Sequence, residues 1–96
     1  MYLLSLIMTT KVINIKDNQP YDVYIGRSSR YGNPYKIGID GDREEVIRKY
    51  RYDFERGYLK ASKEEVLALK GKVLCCHCKP LACHGDVLVE FINNYE

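Results

Sequence analysis

The sequence predicts an α/β domain: a small mixed sheet of three to four strands covered by about three helices. Three observations carry that expectation. Short β-branched and aromatic runs open the chain, two capping-box signatures precede apolar stretches of helical period in its middle, and an amphipathic stripe closes it. At 96 residues and 46% apolar content, the composition supports one core, so residues 1–96 read as one domain.

Taken in order, Met1 to Met8 is apolar and reads as an added edge strand, or as leader to an alternative start at Met8. It is too short to cross a bilayer and lacks the basic start and cleavage site of a secretory signal. The expectation is a protein without membrane contact, cytoplasmic, with reduced thiols. Lys11-Val12-Ile13-Asn14-Ile15 and Asp22-Val23-Tyr24-Ile25 are two strands, expected to be neighbours because only the turn-forming Asp17-Asn18-Gln19-Pro20 separates them. Arg27 to Tyr35 is a polar, aromatic loop, with Gly32 expected to supply an unusual backbone angle. Asp42 and Glu45 cap a first helix carrying Ile47, Tyr50 and Phe54, which Gly57 stops. Ser62 and Glu65 cap a second, which Gly71 stops. Lys72 to His77 is a buried strand broken at Pro80, and Asp86 to Tyr95 carries Val87, Leu88, Phe91, Ile92 and Tyr95 on one helical stripe.

The most unusual feature is the turn from Cys75 to His84, which holds all 4 cysteines and both histidines of the chain. Three readings of it compete. In the first, Cys76, Cys78, Cys83 and either His84 or His77 hold zinc as a structural module, an adaptor for protein or nucleic acid. In the second, the turn is an anion pocket: the start of the last helix attracts negative charge and lowers the Cys83 pKa, aided by Lys79 and His84. Cys83 is then the thiolate, His84 a proton donor or acceptor, and Asp86 a cap or orienter. In the third, the cysteines are buried packing, which suits Cys75 because it faces away from Cys76 on a strand.

A second constellation lies in Gly26-Arg27-Ser28-Ser29-Arg30-Tyr31-Gly32-Asn33-Pro34-Tyr35. Guanidinium groups and hydroxyls hold phosphate, and phenol rings stack on a base. Arg27, Ser28 and Arg30 are expected on phosphate, and Tyr31 and Asn33 on ring or ribose. Gly26, Cys76, Cys78 and Lys79 complete the ligand-binding set. A net charge of only +2 argues against nucleic acid as the partner. Arg43, Arg48, Lys49, Arg51 and Arg56 alternate with acids and read as a solvated, ion-paired helix face.

Val23-Tyr24-Ile25-Gly26-Arg27 leading to Gly32-Asn33-Pro34, then Cys76-x-Cys78-Lys79-Pro80-x-x-Cys83-His84-Gly85-Asp86, resembles the phage and bacterial domain of unknown function 4326. Members often carry an aromatic residue between the paired cysteines and a tryptophan before Gly-Asn-Pro, where this chain has His77 and Tyr31. The resemblance implies a small α/β domain common in viral genomes and supplies no mechanism. With the two loops it leads to one expectation: they converge on a pocket for a phosphate-bearing nucleotide or nucleotide derivative, plausible for a viral protein acting on host nucleotide signalling. Completion of the pocket by a second copy of the chain is part of that expectation.

Overall fold

The computed structural model describes residues 10–95, so the strand expected over residues 1–8 lies outside the described part. Strands β1 (Lys11–Asn14), β2 (Val23–Tyr24) and β3 (Val73–Cys76) form one sheet in the order β1-β3-β2. Both pairings are parallel: Lys11 to Asn14 lies against Val73 to Cys76, while Val23 and Tyr24 lie against Leu74 and Cys75. The expected adjacency of the first two strands is therefore corrected. The link from Ile15 to Asp22 carries the chain past the place of β3 instead of folding back as a hairpin, and a short 3-10 turn capped by Asn14 begins it. β3 takes the centre because Leu74, Cys75 and Cys76 are all buried, as a strand covered on both faces requires. Asp22 pins the start of this crossover by accepting the Val73 N–H at 2.8 Å.

Three helices follow the sequence signals closely: α1 (Arg43–Glu55), α2 (Lys63–Leu67) and α3 (Gly85–Asn94). Asp42 accepts the Glu45 N–H while Glu45 reaches back to Asp42, and Ser62 and Glu65 repeat the exchange, so both capping boxes form. α1 and α2 pack on α3, which lies over β1. Their buried faces meet around Tyr50, Phe54, Val66, Leu74, Leu88 and Ile92. Phe54 and Phe91 meet edge-to-face at 5.0 Å. Of the expected stripe on α3, Tyr95 is exposed. Cys75 faces away from Leu74 and Cys76, as the two-residue period of a strand demands, and is fully buried.

The arginine loop closes on itself by contact. Gly32 keeps an ordinary negative φ, so it is not there for an unusual angle. A Cβ at Gly32 would sit 2.5 Å from the Gly26 carbonyl oxygen and 2.7 Å from the Arg27 Cα. Glycine is required because one turn of the loop lies directly on another.

Candidate functional site

Parallel α/β sheets gather ligand sites beyond the carboxyl ends of their strands. Here the chain leaves β2 into the arginine loop and leaves β3 into the cysteine turn, and the two segments meet. His84 Nε2 lies 2.6 Å from the Ile25 carbonyl, next to Gly26 and Arg27. A cavity of about 70 Å³ opens beside that contact, walled by Arg27 and Asn33 from one loop, Cys78, Cys83 and His84 from the other, and Arg43 and Ile47 from α1. At ~30 Å³ per water, it has room for roughly two waters or one small oxyanion.

The geometry reassigns several expected roles. Cys83 is buried, its Sγ 3.4 Å from that of Cys76 and 3.3 Å from the Gly85 N–H. Its hydrogen bond with Cys76, followed by burial, pushes its pKa up, so Cys83 is not the expected thiolate. The negative charge of the pair belongs on Cys76, lowered by the Cys83 hydrogen bond, by the N–H groups of Cys78 and Lys79, and by the Lys79 charge. The helix start does not serve Cys83 because Asp86 already occupies it: Asp86 Oδ2 accepts the Cys83 N–H at 3.1 Å, and Oδ1 takes the Lys79 ammonium. Burial pulls the Lys79 pKa down, but the Asp86 contact outweighs it and the net shift is upward.

His84 is 7% exposed and packs edge-on to Tyr50 at 5.0 Å. The Ile25 carbonyl can only accept, so Nε2 carries the hydrogen and Nδ1 is left as an acceptor. Burial, with the nearby Arg27 charge, pulls the His84 pKa below 6.5, countered in part by the Ile25 bond and by Asp86. The folded state thus favours the neutral ring, whereas the unfolded chain takes up a proton below ~6.5, so the unfolded state binds more protons and stability falls with acid. The thermal midpoint is expected to drop between about pH 7 and pH 5.5, and His84→Gln to flatten that slope. A midpoint that holds or rises on acidification in the wild-type chain would contradict the assignment.

Not every expected ligand residue reaches the cavity. Arg30 turns away to Glu65 at 3.1 Å and the Lys60 carbonyl at 3.2 Å. Ser28 is exposed and is not among the cavity-lining residues. The Tyr31 carbonyl accepts the Tyr50 hydroxyl at 2.7 Å while its side chain packs on the core. Asn33 lines the cavity but spends its amide on the loop, donating to the Val46 carbonyl at 3.0 Å and accepting the Tyr35 N–H at 2.9 Å. Gly26 serves as backbone, its carbonyl accepting the Ser29 N–H and hydroxyl. His77 is exposed, 2.7 Å from the Tyr24 hydroxyl. The set Cys76, Cys78, Cys83 and His77 therefore does not converge, and among the described residues no group of three or more His, Cys, Asp or Glu gathers as metal ligands do.

Arg43 does not join the solvated face expected of it. Its Nη1 donates to the Ala82 carbonyl at 3.1 Å, and its side chain helps to wall the cavity. One signal for it exists in the sequence. Arg43 is the first residue of a helix whose next two residues are acidic, and a cation at the positive end of a helix dipole opposes the local electrostatics. Elsewhere on that helix Arg48 pairs with Glu45 and Arg51 with Glu90 of α3, while Lys49 donates to the Asp40 carbonyl and Arg56, at the C-cap, lies over the Tyr52 ring.

Fold and site together define a small parallel-sheet α/β domain with a two-arginine cavity at a strand-to-helix junction. The chain belongs to the family described as a domain of unknown function (DUF4326), whose model matches residues 10–94. It is similar to an uncharacterized 12.4 kDa protein from the nrdA-td intergenic region of enterobacteria phage T4, 36% identical over 86 residues, covering 86% of this chain and 77% of that protein. No solved structure matches the chain.

Proposed function

We propose that this protein binds a small phosphate-bearing ligand, a nucleotide or nucleotide derivative, with its phosphate against Arg27 and Arg43. One observation carries the reading: two guanidinium groups from separate segments wall one cavity with the buried Cys83 and His84. Guanidinium is the side chain best suited to an oxyanion because it donates two parallel hydrogen bonds and keeps its charge when partly desolvated. The attraction rests on these arginines and not on the helix start, which Asp86 fills.

Further room for the organic part of the ligand adjoins the anion cavity. Tyr35 belongs both to its wall and to a wider cleft with Arg48, Lys49, Tyr52 and Asp53. A phenol ring there offers a face for a base. The site favours capture over turnover by Cys83 and His84, because the Cys83 thiol is held protonated and the imidazole is tied to the backbone. The phage relative fits a viral setting, and withdrawal of a nucleotide signal of the host is the role proposed for the protein there. All four cysteines are free, which fits a reducing cytoplasm. Among the described residues no helix is long and apolar enough to cross a membrane.

The test is incubation of the purified chain with a nucleotide mixture, removal of unbound material, and mass analysis of what denaturation releases. Release of an intact nucleotide supports the reading, and release of an altered one adds turnover. A chain that retains no phosphate compound, and instead loses zinc and fold together on chelation, would replace it with the adaptor function.

A further inference from the structure

The two cysteines that join β3 to α3 form a pair whose chemistry is separate from the arginine contacts to phosphate. Cys76 ends the central strand, Cys83 precedes α3 by two residues, and their sulfurs stand 3.4 Å apart in a buried setting. A disulfide needs the sulfurs to close to ~2.05 Å, so a movement of about 1.4 Å would join them. The segment between them is a turn containing Pro80, closed by the Leu81 N–H on the Cys78 carbonyl at 2.9 Å. Such an irregular turn absorbs a small shift more readily than strand or helix.

Access and charge complete the site. Cys83 belongs to the wall of the 70 Å³ cavity, which brings that cavity up to the pair although Cys76 and Cys83 are each only 1% exposed. Lys79, held by Asp86, stabilises negative charge at the pair. Cys78 also lines the cavity but only its backbone N–H approaches Cys76, at 3.5 Å to the sulfur, and Cys75 points to the other side of the sheet. Of the four thiols, one pair is thus placed to react with itself.

We propose that Cys76 and Cys83 are an oxidative modification site, converted by hydrogen peroxide into an intramolecular disulfide. A thiolate of the pair attacks one peroxide oxygen, the O–O bond breaks, and hydroxide leaves, giving a sulfenic acid. The second sulfur then attacks the sulfenic sulfur and forms the S–S bond while the S–O bond breaks. The two thiol protons end on the two hydroxides, so two thiols and one peroxide yield one disulfide and two waters. The oxidant's approach is through the cavity that Arg27 and Arg43 also wall, so the reaction is read on the chain free of ligand.

The full chain, freed of reductant, is treated with increasing hydrogen peroxide, unfolded, and alkylated so that the remaining thiols can be counted and the peptides mapped. The expected result is loss of two thiols of four, with Cys76 and Cys83 linked, Cys75 and Cys78 alkylated, and all four restored by dithiothreitol. Cys75→Ser should leave the reaction unchanged, whereas Cys83→Ser should stop at a sulfenic acid that dimedone traps. Four surviving thiols under conditions that oxidise free cysteine would overturn the proposal, and so would a link from Cys76 to Cys78 or between two molecules. Because the wild-type chain gives the primary readout, a variant that fails to fold does not rescue or sink the idea. Thiol counting also separates this proposal from ligand binding, which can fail independently.

Discussion

Replacing Arg27 by alanine is expected to weaken binding of a phosphate-bearing ligand about 10- to 100-fold while leaving the thermal midpoint nearly unchanged. A hydrogen bond to a charged group contributes ~1.5–3 kcal/mol, and ~1.4 kcal/mol is one decade in affinity. Arg27 is exposed, and surface substitutions without packing partners usually alter stability by under ~0.5 kcal/mol. Arg27→Lys should recover only part of the loss, since an ammonium cannot present the planar fork. Arg30→Ala is the control from the same loop, because Arg30 is engaged with Glu65 and its exposed ion pair contributes little. Calorimetric titration with a retained nucleotide measures the affinities. Equal affinity of wild type and Arg27→Ala would remove the arginine loop from the site, and with it the proposed function.

The largest stability effect is expected at Tyr50. Its side chain is fully buried, its hydroxyl donates to the Tyr31 carbonyl at 2.7 Å, and its ring meets His84 edge-on. Burial first, then the nearby Cys83, pushes its pKa far above that of a free phenol, so the hydroxyl remains a donor at any ordinary pH. Tyr50→Ala should cost about 3–5 kcal/mol, comparable with the whole stability of a small domain at ~5–15 kcal/mol. Tyr50→Phe keeps the ring and should cost ~1–3 kcal/mol, the price of an unpaired carbonyl. Urea unfolding of both variants gives the comparison. A loss under ~1 kcal/mol in Tyr50→Ala would mean that α1 is not fastened to the arginine loop as described.

What the sequence made legible follows the range of the interactions involved. Both capping boxes act within four residues, so Asp42, Glu45, Ser62 and Glu65 placed the starts of α1 and α2 without knowledge of the fold. The proximity of the arginine loop and the cysteine turn is legible in outline, since each follows a strand of one sheet. Strand order was not legible, because β1 and β2 bind a partner some fifty residues or more further on, and a short link reads as a hairpin. Nor was depth. A sequence shows Cys83 near a helix start and a lysine, but not that Asp86 takes both the helix start and the lysine, nor that Cys76 lies against its sulfur. Arg43 reads as a solvated residue for a similar reason: its neighbours in the chain are acids, whereas its partner in space is the Ala82 carbonyl.

The position of β3 bears on how the molecule comes into being. As the ribosome releases the chain from its amino end, both flanking strands emerge long before the one that joins them, and they share no ladder of their own. Among the described residues, a nascent polypeptide ending ahead of Val73 can wind α1 but lacks the strand that both β1 and β2 pair with. Assembly of the sheet is therefore a late event in synthesis, because it waits on long-range pairing to the strand made last.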